Sequence, residues 1–214
     1  MLNSKQEFSK MAEVESSHWW YRTLHDSVWN QIKIHPKNID VSVIDAGCGT
    51  GGLLQYLHDK GLKSLTGFDL SEYAVDTCKE RGFEVEKENI FNLAKLFPEQ
   101  SADIFISNDV LYFLSEEEQV HVLDSAYRIL RSQGIFVLNL PALEIFRGTH
   151  DIAVGIKSRF NRAQILRLIN ATQFELQYFR FWPFFLSPVI LVLRFLQRMQ
   201  LLLITNPSVE SDIA

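Results

Sequence analysis

The stretch that most constrains this chain is VSVIDAGCGTGG, residues 41–52. Val41, Val43 and Ile44 form a short β-branched apolar run, the composition of a strand buried in a parallel sheet. The run stops at Asp45, and four glycines follow within six residues: Gly47, Gly49, Gly51 and Gly52. Leu53, Leu54 and Leu57 then recur at helical spacing, and Gly61 stands where that helix would end. Strand, glycine turn and helix make the first unit of a nucleotide-binding α/β sheet. Glycine is needed in such a turn because it accepts positive φ and has no Cβ to hold a ligand off the backbone.

The glycines alone do not choose the ligand. Gly47, Gly49 and Gly52 also satisfy the dinucleotide spacing G-x-G-x-x-G, a weak fingerprint that a ligand-free turn can share. Asp45 separates the readings. A carboxylate at the end of the strand would repel a pyrophosphate seated at the helix N-terminus. It would attract a ligand carrying an ammonium and a sulfonium, and S-adenosylmethionine has both. Here the sequence resembles the class I S-adenosylmethionine-dependent methyltransferases, whose first motif looks like VIDAGCGTGG. The resemblance runs from about His18 to Arg198 and implies that Asp45, Gly47, Cys48, Gly49 and Gly51 meet the cofactor. It implies a doubly wound α/β fold: a mostly parallel, Rossmann-like sheet with helices on both faces.

Later segments fit the same frame. In SLTGFDLS, residues 64–71, Leu65 to Phe68 read as the second strand with Asp69 at its end. An acid about 20 residues past a glycine loop is where such folds hold ribose hydroxyls, and a carboxylate can accept from both. Asp69 or Ser71 can also cap the following helix. Leu70 would offer an apolar face to the adenine. FEVEKENIF, residues 83–91, reads as the third strand. At its end stands Asn89, where the resembling family commonly has an aspartate that meets the adenine amino group, and Ile90 would pack on the ring. Asn89 can equally be an ordinary turn residue.

The fourth strand, Ile104 to Ser107, delivers Asn108 and Asp109 to the crevice where open α/β sheets bind ligands. The resemblance puts the transferred methyl group near them. Relatives often have a histidine just after, but here Tyr112 or Phe113 stands at that position, so no catalytic histidine is expected on this loop. GIFVLNLPA, residues 134–142, reads as the fifth strand after a Gly134 turn. The loop that follows carries His150, the candidate general base if the acceptor is a hydroxyl. FELQYFRFW would be the next strand, antiparallel in the family.

Three domains are expected: a helical cap over 1–40, the cofactor-binding domain over 41–182 and an apolar segment over 183–214. The cap holds His18, Trp19, Trp20, Tyr21 and Arg22. Its aromatics read either as packing against the sheet edge or as a cover for the cofactor or substrate. An HWWYR-like stretch in many similar methyltransferases favours the cover, with Arg22 as a partner for an anionic group. The apolar segment has an uncharged run from Phe181 to Leu193, too short to span a bilayer and interrupted by prolines. Arg194 and Arg198 follow at helical spacing, which suits an interfacial helix touching a membrane or lipid-like substrate, a pocket lid or a dimer contact. The chain stops at SDIA without the family's final strand, so the sheet should lack its usual last member and the chain reads as a truncated form.

Composition bounds the function. A net charge of −5 and a pI near 5.7 argue against a nucleic-acid partner. Two cysteines make no disulfide framework, the N-terminus has no apolar signal core, and a cytoplasmic protein follows. No metal site is expected, and oligomeric state is not readable. The expected function is methyl transfer to a small-molecule or lipid-like acceptor, oxygen slightly favoured. A non-catalytic cofactor-binding module, an NAD(P)-dependent oxidoreductase and a membrane-surface scaffold stand as alternatives.

Overall fold

The computed structural model describes residues 5–35, 40–148, 151–152, 155–182, 188, 191–192 and 195–196. Its centre is a five-stranded parallel sheet: β1 (Ser42–Ala46), β2 (Ser64–Asp69), β3 (Glu84–Lys87), β4 (Ala102–Asn108) and β5 (Leu130–Asn139), in the order β3-β2-β1-β4-β5. Chain order reverses between β1 and β4, which opens a crevice at their carboxyl ends. Register places Asp45 beside Gly67 of β2 and Ile106 of β4, and Asn108 beside Asn139.

Side chains alternate across the strands and divide the core in two. Val43, Ile104 and Ile106 face α2 (Trp19–Ile32) and α3 (Gly52–Asp59), through Val28, Ile32, Leu53 and Leu57. Ile44, Ala46 and Phe105 face α6 (Glu116–Ile129) and α7 (Arg162–Asn170), through Val122, Leu123, Ala126 and Leu168. α4 (Glu72–Glu80) packs Val75 and Cys78 with Val85 of β3. The short α5 (Leu93–Leu96) completes the second layer. Helices therefore cover both faces of the sheet, as expected. Two ends are specified locally: Ser115 with Glu118 opens α6 in a reciprocal capping box, and Asn161 with Gln164 does so for α7.

Two local expectations are corrected. The Gly134 turn lies inside β5 rather than before it: Ala102 pairs with Leu130 but Ile104 with Ile135, so residues 131–134 bulge outward, with Gln133 at φ 66°. Residues 173–181 do not join the sheet as an antiparallel strand. They attach through side chains instead: Phe174 packs on Phe136, and the Trp182 indole donates to Asn139.

The 1–40 region begins with α1 (Lys5–Val14), followed by α2. Leu24, Val28 and Ile32 bury the far end of α2 on the sheet, while Trp20 and Tyr21 at its head reach the crevice.

Candidate functional site

The glycine turn has the backbone its sequence requires. Gly47, Gly49 and Gly51 have φ of 76°, 54° and 86°. A Cβ at Gly47 would lie 2.4 Å from Val110 Cγ2. The Gly47 and Cys48 N–H groups donate to the Phe68 carbonyl at 2.9 and 3.1 Å, tying the turn to the end of β2.

Two acids frame this end of the crevice. Asp69 accepts from the Gly49 N–H at 3.0 Å and the Ser71 N–H at 2.8 Å, so its carboxylate is held between the two loops. Burial raises its pKa and these backbone donors oppose the rise. Asp45 is 2% exposed and its Oδ1 has no hydrogen-bond partner. Burial, then the charge of Asp69, pushes its pKa up to about 7. Asn108 Oδ1 and Ser107 Oγ are likewise buried and unpartnered. Buried polar atoms without partners are costly, and in a crevice they are where a ligand can bond. Leu70 is exposed and Ile90 buried, and both line the crevice. Asn89 caps a short 3₁₀ turn, its Oδ1 accepting from the Phe91 N–H at 3.1 Å, which leaves one lone pair of that oxygen for another donor. Cys48 turns its sulfur toward Cys78, 4.0 Å away.

Sequence reasoning missed what covers this turn. Glu15, between α1 and α2, is 4% exposed. It accepts from Thr50 Oγ1 at 2.9 Å and pairs with Arg81, whose Nη1 also donates to the Thr50 carbonyl at 2.8 Å. A Cβ on Gly52, the first residue of α3, would lie 2.4 Å from Glu15 Oε2. A carboxylate of the chain itself thus sits at the helix N-terminus where dinucleotide-binding folds place a pyrophosphate. No motif announces it, because Glu15 and Arg81 meet only across 66 residues of chain.

The other end of the crevice is built on Asp109. Its φ is 55°, its N–H donates to the Asn139 carbonyl at 3.1 Å, and its carboxylate accepts from the Asn139 side chain. Burial pushes its pKa up to about 6, against the Asn139 hydrogen bond and the charge of Arg159. Asn139 Oδ1 accepts from Trp182 Nε1 at 3.0 Å, and Trp20 stacks on Trp182 with centroids 4.5 Å apart. Tyr21 faces Glu15 and Asp109; burial and both charges raise its pKa. Tyr112 is buried with Phe160 and Ile165. Its pKa is raised by burial and by the charges of Asp109 and Asp151. Arg159 is committed to Asp151 at 2.6 Å and to the Ala142 carbonyl at 2.9 Å. Burial alone would raise the Asp151 carboxyl, but Arg159 and the Gly148 N–H hold it below its ordinary range.

One cavity joins Asp45, Asp69 and Asn108 to Asp109, Trp20 and Tyr112. Trp19 and Arg22 are not in its wall. Trp19 is 45% exposed and meets Trp20 edge-on. The field of Arg22 instead acts on Tyr56. His150 lies outside the described residues, as do Arg194 and Arg198. Asn139 could have been found by the rule that identified Asn108, since each ends a strand at the carboxyl edge of the sheet and the two are paired in register. Trp182 carries no such signal.

The sheet order, the helices on both faces and the crevice at the switch point match the Rossmann-like methyltransferase fold. Solved structures share it at low identity. A putative S-adenosylmethionine-dependent methyltransferase from Methanococcus maripaludis superposes with TM-score 0.60 and 16% identity, over 78% of this chain and 80% of that one. The magnesium protoporphyrin IX methyltransferase of Synechocystis, solved with bound S-adenosylmethionine, gives 0.56 and 17% over 82% and 77%.

Residues 44–138 match the sequence family described as a methyltransferase domain, and S-adenosylmethionine is its cofactor. Among curated proteins, the phosphoethanolamine N-methyltransferase of Plasmodium falciparum is 29% identical over 105 residues, 47% of this chain and 39% of that protein. A tRNA N(3)-methylcytidine methyltransferase of Drosophila melanogaster is 32% identical over 108 residues, 45% of this chain and 33% of that protein. The chain spans well under half the length of these relatives. The residues present fit the cofactor: Asp45 offers a buried, unpartnered oxygen suited to a cationic group, beside a turn whose glycines hold positive φ.

Proposed function

We propose that the chain transfers a methyl group from S-adenosylmethionine to a small-molecule or lipid-like acceptor that carries an N–H or O–H. The observation that carries this reading is the pair Asp45 and Asp69, a buried and a half-buried carboxylate at adjoining strand ends over a glycine turn. When bound, the cofactor supplies an electrophilic methyl on a positively charged sulfur. Asp45 neutralises the cofactor's cationic end, and Asp69, already oriented by Gly49 and Ser71, accepts from the ribose hydroxyls. Leu70 and Ile90 flank the adenine, and the free lone pair of Asn89 Oδ1 takes its amino group. The chain's remaining contribution is alignment of the acceptor, with Asp109 as the described group able to hold its proton. His150 keeps its candidacy as a base for a hydroxyl acceptor.

The net charge of −5 opposes a tRNA substrate, although one relative acts on tRNA. Glu15 at the start of α3 and Asp45 beside it oppose NAD(P). Titration with S-adenosylhomocysteine and with NAD tests this calorimetrically: the first is expected to bind and the second not. NAD binding alone would reverse the assignment.

A membrane contact is a second reading, favoured by three helical residues, Val192, Phe195 and Leu196, exposed by 59%, 63% and 52%. Among the described residues no helix is long and apolar enough to cross a membrane. Co-sedimentation with anionic liposomes at low salt is the check, and a chain that stays in the supernatant ends this reading.

A further inference from the structure

Among the described residues, the charge at the acceptor end has no cation paired with it. Asp109 lines the crevice, and the cation whose field reaches it, Arg159, is already paired with Asp151 and bonded to the Ala142 carbonyl. Asp45 and Asp69 lie at the cofactor end, where the one net positive charge of S-adenosylmethionine is taken up. Asp109 keeps its own. Its position is also over-determined. A non-glycine residue at φ 55° is held by two bonds to Asn139, and the Asn139 amide is held in turn by the Trp182 indole. Such outliers persist where the surroundings fix them and cluster at functional sites.

Aromatic rings stand near this carboxylate: its charge acts on Tyr21 and Tyr112, and Trp20 stacks on the Trp182 that holds Asn139. Trp20, braced by its stack on Trp182, Tyr21 and Tyr112 all line the same cavity. Ring faces attract cations. A neutral hydroxyl placed here would gain a hydrogen bond but leave the half-buried carboxylate without a counter-charge, whereas an ammonium would neutralise it. An anionic group would be repelled.

We propose that the acceptor is a protonated amine, seated with its N–H bonds on the Asp109 carboxylate and its charge against the rings of Trp20, Tyr21 and Tyr112. This rests on the methyltransferase reading and names the substrate class for it. For transfer the amine nitrogen gives up one proton, and Asp109 is positioned to take it. The freed lone pair forms the N–C bond as the methyl's S–C bond breaks, with that bond's electron pair staying on sulfur, and the proton passes to water. A carboxyl that titrates at about 6 is ionised at neutral pH and is a better proton acceptor than an ordinary aspartate.

Calorimetry on the full chain saturated with S-adenosylhomocysteine tests this, with matched probes: benzylamine against benzyl alcohol, and ethanolamine against ethylene glycol. At least one amine is expected to bind roughly tenfold or more tightly than its alcohol. Asp109→Asn, which keeps the shape and removes the charge, should erase that preference while S-adenosylhomocysteine affinity stays within about twofold. Amines that bind no better than the alcohols, or a preference that survives Asp109→Asn, overturn the proposal. The cofactor product is titrated first, so failure there counts against the methyltransferase reading itself.

Discussion

The two ends of the crevice are made differently. The cofactor end comes from consecutive strand–turn–helix units between Asp45 and Ile90, and much of its shape is backbone: positive-φ glycines and N–H groups that orient Asp69. The acceptor end is assembled from side chains scattered from Trp20 to Trp182, joined by a stack, an indole hydrogen bond and an ion pair. A site built on backbone can be shared across a fold, whereas a site built on distant side chains can change with each acceptor. Similar structures at 16–17% identity are consistent with that division, since they show this chain's fold and leave its acceptor open.

The sharpest way to break the comparison is Asp109→Asn. If the acceptor end works through this carboxylate, turnover should fall roughly 10²- to 10⁴-fold with cofactor affinity nearly unchanged. Equal losses in both would mean that the ends are not separable. Asp69→Ala should do the reverse, weakening S-adenosylhomocysteine by about 1.5–3 kcal/mol, the loss of charge-assisted hydrogen bonds. An isothermal titration measures it, and unchanged affinity would remove Asp69 from the site.

A third variant probes the link between the N-terminal helices and the glycine turn. Arg81→Ala leaves the Glu15 carboxylate buried without its cation. The expected cost is about 1–3 kcal/mol of stability, read as a lowered Tm. If the clasp also shapes the glycine turn for the cofactor, cofactor affinity drops with it. A lowered Tm with unaltered affinity would make the clasp purely structural.

The smallest effect is in pH. Asp45 and Asp109 titrate at about 7 and about 6 when folded, above the ordinary carboxylate value, so the folded chain holds extra protons between about pH 4 and 7. Their contribution to stability is therefore fully present at acid pH and is lost as pH rises through 6 and 7. Cofactor binding should run the other way, weakening as pH falls below 7 and Asp45 loses its charge. Melting curves and titrations from pH 5 to 8 check both directions, and parallel trends would contradict the assignment.

Legibility in the sequence followed the same division. The β-branched run ending at Asp45, the glycine turn and the acid ending β2 were readable because strand-end residues and turn glycines are local signals. Residues 173–181 alternate like a strand yet make no ladder, because Phe174 and Trp182 attach through rings and an indole that periodicity cannot register. The aromatic run at the head of α2 was visible, but not which members face inward: Trp20 and Tyr21 line the cavity, whereas Trp19 and Arg22 do not. The Glu15–Arg81 clasp left no trace at all, since either residue alone is an ordinary surface charge.

The most direct test of this division of labour is transfer of labelled methyl from S-adenosylmethionine into an amine-containing extract, run at rising cofactor concentration. The account predicts labelled product with the unaltered chain, recovery of Asp69→Ala at high cofactor, and no recovery of Asp109→Asn at any concentration. Rescue of Asp109→Asn by cofactor alone, or no product from the unaltered chain, would contradict it.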